Sequence, residues 1–129
     1  MISYEEALDF IHGLNRFGTK LGLHNITKLL ELLGNPHENI KIIHVAGTNG
    51  KGSVSHMLAA VCQAAGLKTG LYISPHYKDF RERIKVNGRY IPRQQVVDFV
   101  SLNKAKIESI EPSFFELCVA MAFDHFARE

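Results

Sequence analysis

A chain of 129 residues is long enough for one domain with a real core and too short for two of ordinary size. Its 46% hydrophobic and 22% charged content is that of an ordinary globular protein. Fifteen basic and thirteen acidic side chains leave a net charge of +2, without the dense basic stripe of a nucleic-acid binder, and no apolar run is long enough to span a bilayer.

Residues 3–12 predict a first helix, with Ser3 as N-cap, Glu6 completing a capping box, and Leu8 and Ile11 one turn apart. The stretch GLNRFGTKLGLHN, residues 13–25, reads as a loop. Asn25 is expected to cap a second helix through Leu33, with Ile26, Leu29, Leu30 and Leu33 on one stripe, and Gly34-Asn35-Pro36 ends it. Residues 40–46, IKIIHVA, form a nearly continuous apolar run of the kind buried in a parallel sheet. After a glycine-rich turn, residues 51–65 predict a helix with Val54, Leu58, Val61 and Ala65 facing inward and Gly66 closing it. Residues 69–73, TGLYI, predict the next strand, so that the whole has the order of one right-handed strand–helix–strand crossover.

Beyond Ser74-Pro75-His76 the pattern changes. RIKVNGRYI, residues 83–91, is two short strands around Asn87-Gly88, a strong hairpin signal because both central residues need positive φ. Pro92 opens a helix to about residue 109 with Val96, Val97, Val100 and Ile107 inward. A last helix after Pro112 carries Phe115, Leu117, Val119, Ala122, Phe123 and Phe126 and reads as nearly all buried. Cys62 and Cys118 sit in apolar helical patterns, as free thiols do in a reducing compartment. Seven histidines fall in no HxH or HExxH arrangement, which argues against zinc, and the acidic, amphipathic start MISYEEALDF is unlike a signal peptide, so a cytoplasmic location is expected.

The stretch with the most chemistry is HVAGTNGKGSV, residues 44–54. A loop between a strand and a helix gathers backbone N–H groups at the positive end of the helix dipole. Glycines let that backbone wrap a polyphosphate, a lysine at the helix start neutralises it, and a following hydroxyl reaches Mg²⁺ or a phosphate oxygen. Gly47, Gly50, Lys51, Gly52 and Ser53 supply these parts in order. The strict pattern GxxxxGK[ST] fails twice, because Val45 holds its first glycine position and Gly52 stands between Lys51 and Ser53. The bland alternative is a glycine turn with a surface lysine.

With these departures, GTNGKGS resembles the phosphate loop of the Mur ligase superfamily, in its folylpolyglutamate synthase and dihydrofolate synthase branch. Three further segments resemble the same branch in the same order: LGLHNITKLLELLGNP (21–36), LYISPHYKDFRERIKVNG (71–88) and SFFELCVAMAF (113–123). The resemblance implies an α/β fold, a P-loop-type three-layer domain with a mostly parallel sheet. Residues 1–129 would be an incomplete, amino-terminal part of its ATPase domain, without the family's glutamate-binding carboxy-terminal domain. It implies an ATP-dependent ligase that adds L-glutamate to folate or dihydropteroate through an acyl phosphate, a monomer when complete and inactive as these residues alone. A peptidoglycan-precursor ligase and a stand-alone nucleotide-binding module are the alternative readings.

By the same resemblance, Gly47, Thr48, Asn49, Gly50, Lys51, Gly52 and Ser53 would hold the ATP phosphates. Ser74 would contact Mg²⁺, its alternative being a turn residue before a proline. Ser113, Phe114, Phe115 and Glu116 match the family's pterin-contacting segment. For Phe115 core packing is the competing reading, for Phe114 core or surface. Glu116, on an otherwise apolar helix, needs a partner, which could be a backbone amide, an arginine or a ligand. The Leu21-Gly22-Leu23 region resembles a substrate-side loop. Arg81 and Arg83 could meet an anion or merely decorate a loop, and His76 reads as structural.

Overall fold

The computed structural model describes residues 1–18 and 22–129, so Leu21 of the expected substrate-side loop lies outside the described residues. The chain divides into two compact units, one of residues 1–40 with 92–128 and one of residues 41–91 with Glu129.

The first unit is helical. Helix α1 spans Tyr4–Gly13 and starts at the expected capping box, in which the Ser3 hydroxyl accepts from Glu6 N–H and Ser3 N–H donates to the Glu6 carboxylate. Helix α2 spans His24–Leu32, with Leu23 as N-cap and no side-chain cap, so Asn25 lies inside the helix instead of capping it. Its end is as expected. Asn35 takes positive φ and its N–H returns to the Leu30 carbonyl at 2.8 Å. Helices α4 (Arg93–Ile110, N-cap Pro92) and α5 (Phe114–Arg128) complete the unit, and α1, α2, α4 and α5 pack on one another. The expected inward residues of α4, Val96, Val97, Val100 and Ile107, are all buried, alongside Ala7, Ile11, Leu29 and Leu117. Their apolar area is the main driving force of this unit. Helix α5 is less uniformly buried than its composition suggests: Leu117 and Ala122 are in the core, whereas Phe115 is 56% exposed. Among the described residues, no helix is long and apolar enough to cross a membrane.

The second unit holds helix α3 (Lys51–Ala64) and strands β1 (Gly70–Tyr72), β2 (Ile84–Val86) and β3 (Arg89–Tyr90). Asn87 and Gly88 both have positive φ, as the hairpin requires, and β2 pairs β3 with Lys85 opposite Tyr90. Asn87 also exchanges bonds with Thr69: its N–H donates to the Thr69 carbonyl, and its side-chain oxygen accepts from Thr69 N–H. That tie sets the register of β1 on β2, Gly70 opposite Val86 and Tyr72 opposite Ile84.

The sheet departs from expectation. Among the described residues it is three-stranded, ordered β1-β2-β3 and antiparallel throughout, not mostly parallel. Residues 41–47 lie outside any ladder, and Ile42 and Ile43 are largely exposed. A continuous apolar run is stable as a strand only with neighbours on its edges and cover on its faces. No described strand pairs with it, and β1 takes the hairpin strand β2 instead. The same lack of cover explains α3. It forms over the expected residues, but Val54, Leu58 and Val61 are exposed and the helix buries no residue.

Candidate nucleotide site

The glycine loop ends where helix α3 begins. Gly50 is the N-cap residue with φ +77°, a left-handed conformation that costs a residue with a Cβ roughly 1–2 kcal/mol. Lys51 is the first residue of the helix, exposed, with Gly52 and Ser53 behind it. No side chain caps this terminus and no acid stands in its first turn. Its amides therefore point outward with the full partial charge of the helix end, beside a cation. A Cβ on Gly52 would meet no atom within 4 Å, so the space over the first turn is open. A terminus so arranged accepts phosphate oxygens on its amides.

One contact here has no counterpart in the expectations. His56 Nδ1 lies 2.7 Å from the Gly52 carbonyl, and since a carbonyl only accepts, Nδ1 carries the proton.

Ser74 lies just past β1, which packs against α3 in the same unit, and its side chain is exposed. The loop after it is tied to residues 79–83. Ile73 N–H donates to the Arg83 carbonyl at 3.0 Å, and the N–H groups of Tyr77, Lys78 and Asp79 donate to the Glu82 carboxylate. These amides, that of Tyr77 foremost and then that of Asp79, hold the Glu82 carboxyl below its usual range against the opposing effect of burial. Neither arginine of the loop decorates it idly. Arg81 forms a two-pronged pair with Asp79, Nη2 to Oδ2 at 2.8 Å, and buried Arg83 donates from Nε to His76 Nδ1 at 2.8 Å. His76 thus takes part in holding the loop.

The four pterin-segment residues belong to the helical unit. Ser113 and Glu116 are both buried and bind each other: Ser113 N–H donates to Glu116 Oε1 at 2.9 Å and Glu116 N–H to Ser113 Oγ at 3.1 Å. The partner that Glu116 needs is thus the amide at the start of its own helix. Phe114 stacks on His12 with ring centroids 5.2 Å apart, and exposed Phe115 is not core packing. Together with Asn15, Leu23, Ile26 and Val119 these residues line an open cleft.

Among the described residues no group of three or more His, Cys, Asp or Glu is placed to hold a metal ion. The hydroxyls of Ser53 and Ser74 are each hard oxygen donors, the kind that Mg²⁺ accepts beside waters and phosphate oxygens.

Comparison with protein-family models finds no match. The chain is 42% identical, over 98% of its length, to the "Probable bifunctional folylpolyglutamate synthase/dihydropteroate synthase" of Haloferax volcanii, and 38% identical, over 97%, to the dihydrofolate synthase/folylpolyglutamate synthase of Bacillus subtilis. Nearly the whole chain resembles folylpolyglutamate and dihydrofolate synthases. The solved folylpolyglutamate synthase of Thermotoga maritima superposes with a TM-score of 0.88 at 41% identity, covering 97% of the chain. A solved folylpolyglutamate synthase–AMPPCP–folate complex superposes at 0.85 with 34% identity, covering 98%. The similarity read from the four segments is thus found over nearly the whole chain. The chain spans 16% and 30% of the lengths of the two curated relatives, and 30% and 33% of the two solved chains.

Proposed function

We propose that this chain provides the ATP-binding portion of a ligase that joins L-glutamate to folate or dihydropteroate. The observation that carries the reading is the uncapped start of α3, where Gly50, Lys51, Gly52 and Ser53 present amides, a cation and a hydroxyl to one open space. Support comes from the solved relative that holds AMPPCP and folate together.

In this reading Gly47–Gly50 wrap the nucleotide phosphates, and Lys51 neutralises charge as the terminal phosphoryl group moves to a substrate carboxylate. Such a transfer is stabilised by positioning and fixed donors, without an enzyme nucleophile. Mg²⁺, when bound, would neutralise phosphate charge, with Ser74 and Ser53 as the residues that would hold it. Phe115, with its exposed ring, stacks on the pterin, and the Ser113–Glu116 bonds keep that face of α5 in place. Residues 41–46 take a parallel ladder in the complete three-layer domain, where α3 finds cover for Val54, Leu58 and Val61. Residues 1–129 alone bind nucleotide without ligating.

The test is ADP release by the protein as its source cell makes it, with glutamate and each pteroate offered in turn. Release that requires both glutamate and a pteroate or folate is expected. Release independent of both, or none with any pteroate, would refute the reading.

A further inference from the structure

Three segments of this chain have the form of a capping box: Ser3–Glu6, Asp79–Glu82 and Ser113–Glu116. In the first and third, the carboxylate takes the backbone amide of the cap residue. Glu82 does more. It accepts from Asp79 N–H at 2.8 Å, as the motif requires, and also from Tyr77 N–H at 2.8 Å and Lys78 N–H at 3.1 Å, which lie outside the box. Three successive amides converging on one point form a concavity that ordinarily binds an anion. Here the chain supplies the anion itself. The next residue, Arg83, grips the same loop at two further points, through its carbonyl on Ile73 N–H at 3.0 Å and through Nε on His76 Nδ1 at 2.8 Å. Phe80, 3% exposed and edge-on to the His76 ring, anchors the base of the loop in the apolar interior.

From Ile73 to Asp79, then, five of seven residues are held by two neighbouring residues, and exposed Ser74 rides between held points. We propose that Glu82 and Arg83 are positioning residues, which fix this loop so that the Ser74 hydroxyl is presented to a divalent cation accompanying a bound nucleotide. The inference rests on the reading of Ser74 given above. A loop ordered in advance meets its entropy cost during folding, so cation binding does not have to order it. A capping role alone requires the Asp79 amide. The Tyr77 and Lys78 amides and the Arg83–His76 bond are what positioning adds.

The experiment uses the 129-residue chain and its Glu82→Ala, Glu82→Gln and Ser74→Ala variants. Amide hydrogen exchange is read at Tyr77, Lys78 and Asp79, and AMPPCP affinity is titrated with and without Mg²⁺. Removing a group that orients a metal ligand typically costs about 10–100-fold in metal affinity. Glu82→Ala is expected to speed exchange at the three amides by at least about 10-fold while the α3 amides keep their protection, since each loses a charge-assisted bond. It should erase the gain in affinity that Mg²⁺ confers and leave Mg²⁺-free binding unchanged. Glu82→Gln, whose one oxygen can accept from Lys78 and Asp79 N–H while its NH2 cannot accept from Tyr77 N–H, should recover part of that gain.

Unchanged exchange in Glu82→Ala would overturn the proposal. So would a Mg²⁺ gain that survives Glu82→Ala but is lost in Ser74→Ala, since the loop would then be held to no effect. A Glu82→Gln chain that keeps parent-like exchange at Lys78 and Asp79 yet loses the whole Mg²⁺ gain would assign the effect to charge and overturn positioning. A Mg²⁺ gain intact in Ser74→Ala would show that the underlying reading of Ser74 has failed, and the proposal with it.

Discussion

Replacing Gly52 by alanine separates a phosphate cradle from an ordinary helix start, because the two readings predict different outcomes for binding. Gly52 is the second residue of α3, and its φ lies outside the left-handed region. A Cβ there would meet no atom within 4 Å. Alanine therefore fits without strain and narrows the unfolded ensemble, which stabilises a chain by about 0.4–1 kcal/mol. For a domain of this size that raises Tm by about 1–5 °C. The space the methyl group enters is, on our reading, where phosphate oxygens approach the first-turn amides. Losing one or two such charge-assisted bonds, each contributing about 1.5–3 kcal/mol, weakens AMPPCP binding by at least about 10-fold. Differential scanning fluorimetry and calorimetric titration of one preparation read both effects. A Gly52→Ala chain that is more stable and binds AMPPCP within twofold of the parent would refute the cradle at this residue.

Other consequences are as direct. Lys51 is exposed, so Lys51→Ala should leave Tm nearly unchanged while lowering AMPPCP affinity by about 10-fold or more, a loss that shrinks as salt is added. Ile107, fully buried against the helical unit, should cost about 2–5 kcal/mol as Ile107→Ala in urea unfolding, whereas exposed Val61→Ala should cost less than about 0.5 kcal/mol. Glu6 and Glu82 have carboxyls held low chiefly by the amides of Ser3 and Tyr77 respectively. A depressed folded pKa gives stability that is full above the unfolded value of about 4.3 and is lost as pH falls through the folded value. The double variant Glu6→Gln, Glu82→Gln should thus be less stable than the parent at pH 6 and approach it at pH 3, as urea midpoints at the two values would report.

Local signals were legible wherever a few neighbouring residues decide the structure. The Ser3–Glu6 box, the Asn87-Gly88 turn and the inward face of α4 all follow from short-range rules, and all are present. The same rule has two further instances: SFFE at 113–116 and DFRE at 79–82 carry the capping-box spacing as plainly as SYEE, and the first of them gives Glu116 its partner. The Tyr77 and Lys78 bonds to Glu82 depend on how the loop folds back, and no spacing rule announces them. Periodicity misled where it had to assume a partner. Residues 40–46 and the apolar stripe of α3 state what these segments can bury, but burial depends on partners: no described strand pairs with residues 41–47, and β1 alone leaves α3 without a buried residue. Asn25 is a good cap by type, yet the cap residue is Leu23, two residues earlier, a difference decided by backbone geometry around Leu23.

The measurement that bears most directly on the central claim is a backbone amide spectrum of the isotopically labelled chain, titrated with AMPPCP and Mg²⁺. Saturable shifts concentrated at Gly50, Lys51, Gly52 and Ser53, with a smaller set at Ser74 that appears only with Mg²⁺, are the expected result. Shifts absent from the start of α3, or found only around Phe115 and the cleft of the helical unit, would contradict it.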